Sequence, residues 1–225
     1  MGKNIFAAAL VFVLLGVMVY AAFFIAPVDA KQGLIYRILY LHVSSAWTGL
    51  TAFLIGCIAN LLYVWRRQPR WDWLGVAAVE VGLAFTTVVL VTGPIWAKPV
   101  WGIYWTWDAR LTSTFVMRLL YISYLLLRTL IEEPDRRALL SALYGIFAFL
   151  DVPLVFGSIR WWRTQHPQPI VMGGQDSGMD PTMYKVLMFS WLAMLALMTL
   201  LLRQRYKLEA MRSDVEAMRH ELEAA

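Results

Sequence analysis

Histidines and tryptophans are the residues best able to do chemistry in this chain. Of the three histidines, His42 and His166 stand beside tryptophans, whereas His220 lies in a charged C-terminal segment. A neutral imidazole ligates iron well through Nε2 when its other ring nitrogen is held by a partner. A lone histidine near a helix end is more often a solvated residue, but two on one membrane face could grip iron from opposite sides. We therefore take His42 and His166 as candidate metal ligands.

The segment between these histidines holds an unusual density of aromatic rings. Four tryptophans and a tyrosine fall within twelve residues, namely Trp96, Trp101, Tyr104, Trp105 and Trp107. An interfacial aromatic belt needs only an anchor or two at each helix end. So many rings, close to Pro94, Pro99 and Gly102, indicate a shaped flat surface instead. Such a surface suits a large planar apolar ligand, and a porphyrin is one.

Cations stand where a porphyrin's carboxylates would need them. Arg37 lies five residues before His42, and Arg110 closes the aromatic segment. A guanidinium can hold a carboxylate with two parallel hydrogen bonds, so we expect both arginines to contact propionates. Asp108 has two readings that stay open: it belongs to the ligand site, or it caps the N-terminus of the next helix.

Composition places the chain in a membrane and excludes several other functions. It has 225 residues, of which 60% are hydrophobic and only 16% charged, and its net charge of +5 can be assigned to loops that set membrane orientation. No nucleic-acid role is needed to explain that charge. A single cysteine, Cys57, rules out structural disulfides within the chain and CxxC redox chemistry. A phosphate-binding loop of the GxxxxGK[ST] type is absent from the sequence, so any ATP hydrolysis must belong to another chain.

The hydropathy pattern predicts an all-α bundle of six membrane-spanning helices. Each apolar run is about 20 residues long, the length that crosses the hydrocarbon core. The predicted spans are Ile5 to Ala26, Ile38 to Trp65, Leu74 to Ile95, Leu111 to Leu130, Ala138 to Ile159, and Met183 to Leu202. Residues 1–207 are expected to form this domain. Residues 208–225 are expected to form a cytoplasmic amphipathic tail helix with apolar residues at alternating spacings of three and four.

Loop charges predict the orientation of the bundle. Lys and Arg are more frequent on the side that holds both chain ends, which makes both termini cytoplasmic. Long loops between helices three and four and between helices five and six then face outward, together with both candidate histidines. The first apolar run is too long for a typical signal peptide, so we expect it to remain as a span.

Three charged residues fall inside predicted spans and need partners there. Glu80, Arg118 and Asp151 would each be costly if left alone in the hydrocarbon core. Arg118 and Asp151 lie at similar depths, so we predict that they pair with each other. Contact of Arg118 with a heme propionate is the alternative.

Three separated motifs resemble one known family. The run from Trp101 to Ser113 is similar to the tryptophan-rich WWD motif of heme-handling proteins. Together with Tyr36 to Val43 and Trp161 to His166, it closely resembles the CcmC family of cytochrome c maturation, whereas the related CcmF and CcsA-type proteins are longer. The chain departs from the family pattern at Ser44-Ser45, at Tyr104 and around His166, where Gln165 and Pro167 stand.

The resemblance implies a role and a set of partners. It implies a heme carrier of the bacterial inner membrane that holds heme b at its periplasmic face through His42 and His166. It also implies work with the ATP-driven CcmA and CcmB, the small protein CcmD and the heme chaperone CcmE, which accepts the heme. We expect a carrier and not an enzyme, bound to membrane lipid and to no nucleic acid. The alternatives are a membrane cytochrome b-type electron-transfer subunit and a scaffold that binds no cofactor.

Overall fold

The computed structural model describes residues 2–167 and 179–224. Within these ranges the chain forms helices and short turns, and no β-strand is present. Six helical segments are long and apolar enough to cross a membrane. The predicted all-α, six-span architecture is therefore confirmed, and the chain is a multi-pass membrane protein.

Among the described residues, seven α-helices make up the six spans. They are α1 (Gly2–Tyr20), α2 (Ile38–Arg66), α3 (Pro69–Trp101), α4 (Ala109–Leu130), α5 (Pro134–Phe149), α6 (Asp151–Trp161) and α7 (Pro181–Ala224). A π-helical turn, Ala21–Ile25, extends α1, and a 3₁₀ turn, Leu34–Arg37, leads into α2. The centre of the bundle is the long antiparallel pair α2 and α3, which the remaining helices surround.

The third helix is longer than the sequence predicted. It runs to Trp101 and carries Pro94 and Pro99 inside it, so only residues 102–108 connect it to α4. The long loop expected between helices three and four is wrong. Proline removes one backbone donor, and membrane helices tolerate this where neighbouring groups satisfy the freed carbonyl. Trp96 and Trp101 therefore stand on a helix and not on a loop.

The fifth span is two helices. α5 ends at Phe149 and α6 starts at Asp151, with Leu150 donating to the Phe147 carbonyl in a tighter turn. Pro153 explains the break, because it has no N–H for the Phe149 carbonyl and its ring clashes there. The following connection, expected to be a long loop, includes residues 168–178, which lie outside the described residues.

The last helix does not stop where the membrane span was predicted to end. α7 continues from Pro181 to Ala224, so the expected tail helix is a direct extension of the span. Within the described ranges, two ion pairs hold this extension against the bundle: Arg205 contacts Glu80 of α3, and Arg137 of α5 donates to Glu216 at 2.6 Å. Arg205 also contacts Glu209 within α7. Glu80 thus has its partner on α7. The five apolar residues of the tail pattern remain exposed: Leu208, Met211, Val215, Met218 and Leu222.

Asn60 lies at a close crossing of helices in the core. It is 1% exposed, and it lies between two glycines, Gly75 of α3 and Gly145 of α5. A Cβ at Gly145 would sit 2.2 Å from Asn60 Nδ2 and 3.1 Å from Tyr124 Cε2. Small residues at such crossings let helix backbones approach closely in membranes.

The predicted pairing of Arg118 with Asp151 is wrong. Arg118 donates from Nη1 to the Leu83 carbonyl at 3.2 Å and to Thr87 Oγ1 at 2.6 Å, both on α3. Asp151 is buried, and its Oδ2 has no hydrogen-bond partner in the part of the chain that is described. Depth along a helix gave no information on the direction in which each side chain points, and this direction decides the pairing.

Candidate functional site

A large cavity lies among α2, α3, α4, α6 and α7 at one end of the bundle, and Phe149 at the end of α5 completes its lining. Its volume is about 1110 Å³, slightly above the roughly 300–1,000 Å³ of typical small-molecule sites. Along α2 it extends from Leu39 to Leu54, a rise of about 22 Å. Six of the predicted site residues line it: His42, Trp96, Trp101, Trp105, Arg110 and His166. Both candidate ligands therefore lie at the same end of the bundle and face one space.

His42 lies in the first turns of α2, and its Nδ1 is hydrogen-bonded to a residue of α3. Nδ1 lies 2.8 Å from Thr92 Oγ1, and the Thr92 hydroxyl in turn donates to the Val88 carbonyl at 2.7 Å. Because that hydroxyl proton is committed to a carbonyl, the oxygen is left to accept the Nδ1 proton. The unprotonated ring nitrogen is then Nε2, which is the tautomer that ligates a metal.

Packing on both sides restricts the position of the His42 ring. Trp96 meets it edge-on, with ring centroids 5.7 Å apart, and the Trp96 indole nitrogen donates to Gln32 Oε1 at 2.7 Å. On α3, a Cβ at Gly93 would lie 3.3 Å from His42 Cε1, so glycine makes room for the ring there. The imidazole is therefore preorganised by the protein alone.

His166 lies in the segment after α6 and has the same nitrogen occupied. Its Nδ1 is 3.0 Å from the Pro167 carbonyl, which can only accept, so Nδ1 carries the proton and Nε2 does not. Burial and the nearby positive charge of Arg110 lower the pKa of His166 to about 4, which the Pro167 carbonyl opposes in part. The ring is therefore neutral at neutral pH, with a lone pair on Nε2.

Asp108 joins the two segments that carry the site. One carboxylate oxygen caps α4 by accepting from the Leu111 N–H at 3.0 Å, and the other accepts from the Gln165 N–H at 3.3 Å. Burial raises the pKa of Asp108, but the hydrogen bonds from Leu111, Thr164, Thr106 and Gln165 outweigh it and the pKa lies below its ordinary value. Asp108 is thus a helix cap, which is one of the two readings left open by the sequence, and it also anchors the segment next to His166.

The aromatic residues of the run from Trp101 to Ser113, which resembles the WWD motif, divide into two groups. Trp101 and Trp105 line the cavity, and the Trp105 indole nitrogen is buried without a hydrogen-bond partner among the described residues. Trp107 and Tyr104 lie outside the cavity and are 74% and 60% exposed. Trp105 and Trp107 still touch edge to face, with centroids 5.7 Å apart. The exposed pair forms an apolar surface beside the cavity.

Arg110 and Arg37, the two predicted propionate contacts, are placed differently with respect to the cavity. Arg110 lines the cavity, donates to the Val155 carbonyl of α6 and lies with its guanidinium carbon 5.9 Å from the Phe156 ring centroid. Arg37 lies over the Phe23 ring at 5.5 Å and is not among the residues that line the cavity. The structure therefore brings Arg110 into the cavity with the two histidines and leaves Arg37 outside the cavity lining.

Sequence reasoning missed the partner of His42 and several residues that line the cavity. Thr92 gave no signal, because the partner of a histidine fifty residues away cannot be read from spacing. Trp47 of α2 and Trp191 of α7 line the deeper part of the cavity and meet edge-on at 5.4 Å. In the sequence they are two more aromatic residues within apolar spans, so no sequence pattern identified them as residues of the cavity.

Comparison with known proteins finds one family along most of the chain. The model of the CcmC family, described as heme exporter protein C, matches residues 2–221. The heme exporter protein C of Bradyrhizobium diazoefficiens is 34% identical over 208 residues, which cover 92% of this chain and 77% of that protein. That of Escherichia coli K12 is 34% identical over 181 residues, covering 78% and 72%. That of Haemophilus influenzae is 30% identical over 210 residues, covering 93% and 85%.

These matches extend over nearly the whole chain, from α1 to the extension of α7. The resemblance seen in the three sequence motifs is therefore confirmed, and the chain belongs to the CcmC family of heme exporter protein C.

Proposed function

We propose that this protein carries heme at the periplasmic face of a bacterial inner membrane and delivers it to a heme chaperone during cytochrome c maturation. The observation that carries this proposal is the pairing of His42 and His166 on one cavity, each with Nδ1 engaged and Nε2 free. Membership in the heme exporter protein C family supports heme as the cargo. The cargo we expect is iron protoporphyrin IX, heme b.

The residues present fit a flat macrocycle with an iron at its centre. Neutral imidazoles are suited to the two axial positions, and indole rings of Trp96, Trp101 and Trp105 supply the apolar lining. Arg110 is the cation placed to meet a propionate, with guanidinium donors beyond the one used on Val155. Arg37 stays a second candidate for a propionate if the 3₁₀ turn before α2 moves.

Two axial ligands from the protein would leave the iron without an open position. Such a site suits a carrier better than a catalyst that must bind oxygen or a substrate. Release would then require one imidazole to withdraw. His166 is the one we expect to yield, because it lies in a connecting segment, whereas His42 is fixed within α2.

The exposed aromatic residues suggest where an acceptor meets the protein. Tyr104 and Trp107 stand beside the cavity with large exposed apolar areas. We propose that the heme chaperone CcmE docks against them and takes the heme there. CcmA, CcmB and CcmD are the further partners that the family resemblance implies, and the proposed role is that of a transfer component and not of an enzyme.

Transfer of heme between purified proteins tests this function. The heme-loaded protein in lipid nanodiscs is mixed with the soluble domain of CcmE, and heme on each is followed by absorbance after separation. We expect heme to move to CcmE from the wild type and from a His220→Ala control. His42→Ala and His166→Ala should each carry and deliver far less. Full heme loading with reversible redox cycling and no transfer would favour the electron-transfer alternative, and the absence of any Soret band would favour the scaffold.

A further inference from the structure

Arg118 is a charged residue near the middle of a membrane span. At 1.5 Å per residue, its Cα lies about 13 Å from the N-terminal end of α4 and about 18 Å from its C-terminal end. The ion pairs found among the described residues involve Arg128, Arg137, Arg205 and Arg212, and none of them includes Arg118. A cation at this depth is costly unless a partner balances it.

The contacts that Arg118 does make leave its charge unbalanced. Nη1 donates to the Leu83 carbonyl and to the Thr87 hydroxyl, both of which are neutral acceptors. A guanidinium has five N–H donors, so donor capacity remains. The side chain is partly exposed and is absent from the residues that line the histidine cavity. Its free donors therefore face the outside of the bundle and not the proposed heme site.

The surface around Arg118 has the features of a helix-packing groove. On α3, Ala84 and Thr87 are exposed and lie three residues apart, on one face of the helix. On α4, the neighbouring Leu119 is 45% exposed. Small residues let another helix approach closely within a membrane, and polar side chains at such contacts hold helices together.

We propose that the groove of Ala84, Thr87 and Arg118 receives a membrane-spanning helix of another protein that carries an Asp or Glu near its midpoint. A carboxylate at that position would lie at the depth of Arg118 and accept its remaining donors. Lipid phosphates lie outside a hydrocarbon core about 30 Å thick and so are poorly placed to do this. A second copy of this chain docked by two-fold symmetry through the groove would bring two arginines together.

Association with model helices tests this proposal. The probe is a spanning Leu-Ala peptide of about 20 residues with one Asp at its midpoint, and its twin has Leu there. Energy transfer to a fluorophore on the C-terminus of the protein is measured in phosphatidylcholine vesicles. We expect the Asp peptide to bind about tenfold more tightly than the Leu peptide. Arg118→Met should remove that difference.

Matched variants distinguish the contribution of the groove to peptide binding from the contribution of the charge. Moving the cation one position around α4, by Arg118→Leu together with Leu119→Arg, keeps the charge at the same depth and should not restore the preference. Arg118→Glu should instead prefer a peptide with Lys at its midpoint. Thr87→Leu keeps Arg118 but fills the groove, so it should also lose the preference, and it serves as the main variant if substitutions of Arg118 do not fold.

The outcomes that overturn the proposal are distinct from those that bear on heme. Equal binding of the Asp and Leu peptides to the wild type would overturn it, as would a preference that survives Arg118→Met. Loss of the preference when phosphatidylglycerol is added would assign the charge to a lipid headgroup instead. Because Arg118 does not line the cavity, the heme content of each folded variant should equal that of the wild type.

Discussion

At the scale of single residues, the protein holds the imidazoles of His42 and His166 through the same ring nitrogen, Nδ1. Thr92 accepts from Nδ1 of His42, and the Pro167 carbonyl accepts from Nδ1 of His166. Such partners fix both the tautomer and the ring orientation of metal-ligating histidines. Asp108 acts on His166 through the backbone, because it holds the chain beside His166 to the start of α4.

Thr92→Val tests the role of the His42 partner. Valine keeps the shape of threonine but cannot accept a hydrogen bond, so the Nδ1 tautomer loses its support. We expect heme affinity to fall by about 10–100-fold, measured by hemin titration at the Soret band. Thr92→Ser keeps the acceptor and should bind nearly as the wild type does. An unchanged affinity in Thr92→Val would show that this hydrogen bond is not needed.

Asp108→Asn tests the link between α4 and His166. The Asn side-chain oxygen can still cap α4, but its NH₂ group cannot accept from the Gln165 N–H. We expect a thermal midpoint close to that of the wild type and a clearly lower heme affinity. Asp108→Ala removes the cap as well and should cost about 0.5–2 kcal/mol of stability. If Asp108→Asn binds heme as the wild type does, the position of His166 does not depend on this carboxylate.

At the scale of helices, the sequence predicted the existence of the elements better than their ends. Hydropathy located all six spans because burial in lipid demands a long apolar run. It did not reveal that α3 continues through Pro94 and Pro99, since whether a proline ends a helix depends on neighbours that a single sequence does not show. The motifs located His42, His166 and Arg110, but Arg37 and Thr92 show that side-chain direction depends on packing between helices.

Gly145→Ala tests the helix crossing at Asn60. The new Cβ would lie 2.2 Å from Asn60 Nδ2, and overpacking of this kind costs about 1–3 kcal/mol. We expect a lower thermal midpoint in detergent, largely recovered when Asn60→Ala is added. Gly16→Ala is the matched control, because nothing lies within 4 Å of its Cβ and alanine favours a helix by about 1 kcal/mol. An unchanged midpoint in Gly145→Ala would contradict this packing.

At the scale of the whole molecule, the cavity and the ion pairs that hold the extension of α7 occupy opposite ends of one bundle. The cavity draws its lining from six helices, α2 to α7, and from the segment after α6. At the other end, Arg128 grips Asp72 with two hydrogen bonds of 2.6 and 2.8 Å, and Arg205 and Arg137 fasten the extension of α7. Between them lies a core in which Phe53 stacks on Tyr121 at 3.7 Å. This arrangement leaves the segment with His166 as the part of the site least tied to the core.

The electron paramagnetic resonance spectrum of the ferric heme complex tests the central claim most directly. If His42 and His166 ligate one iron together, the wild type gives a low-spin signal. His42→Ala and His166→Ala should then each give a high-spin signal that added imidazole returns to low spin. A high-spin wild type, or a low-spin signal that survives in either variant without imidazole, would contradict ligation of one heme by these two residues.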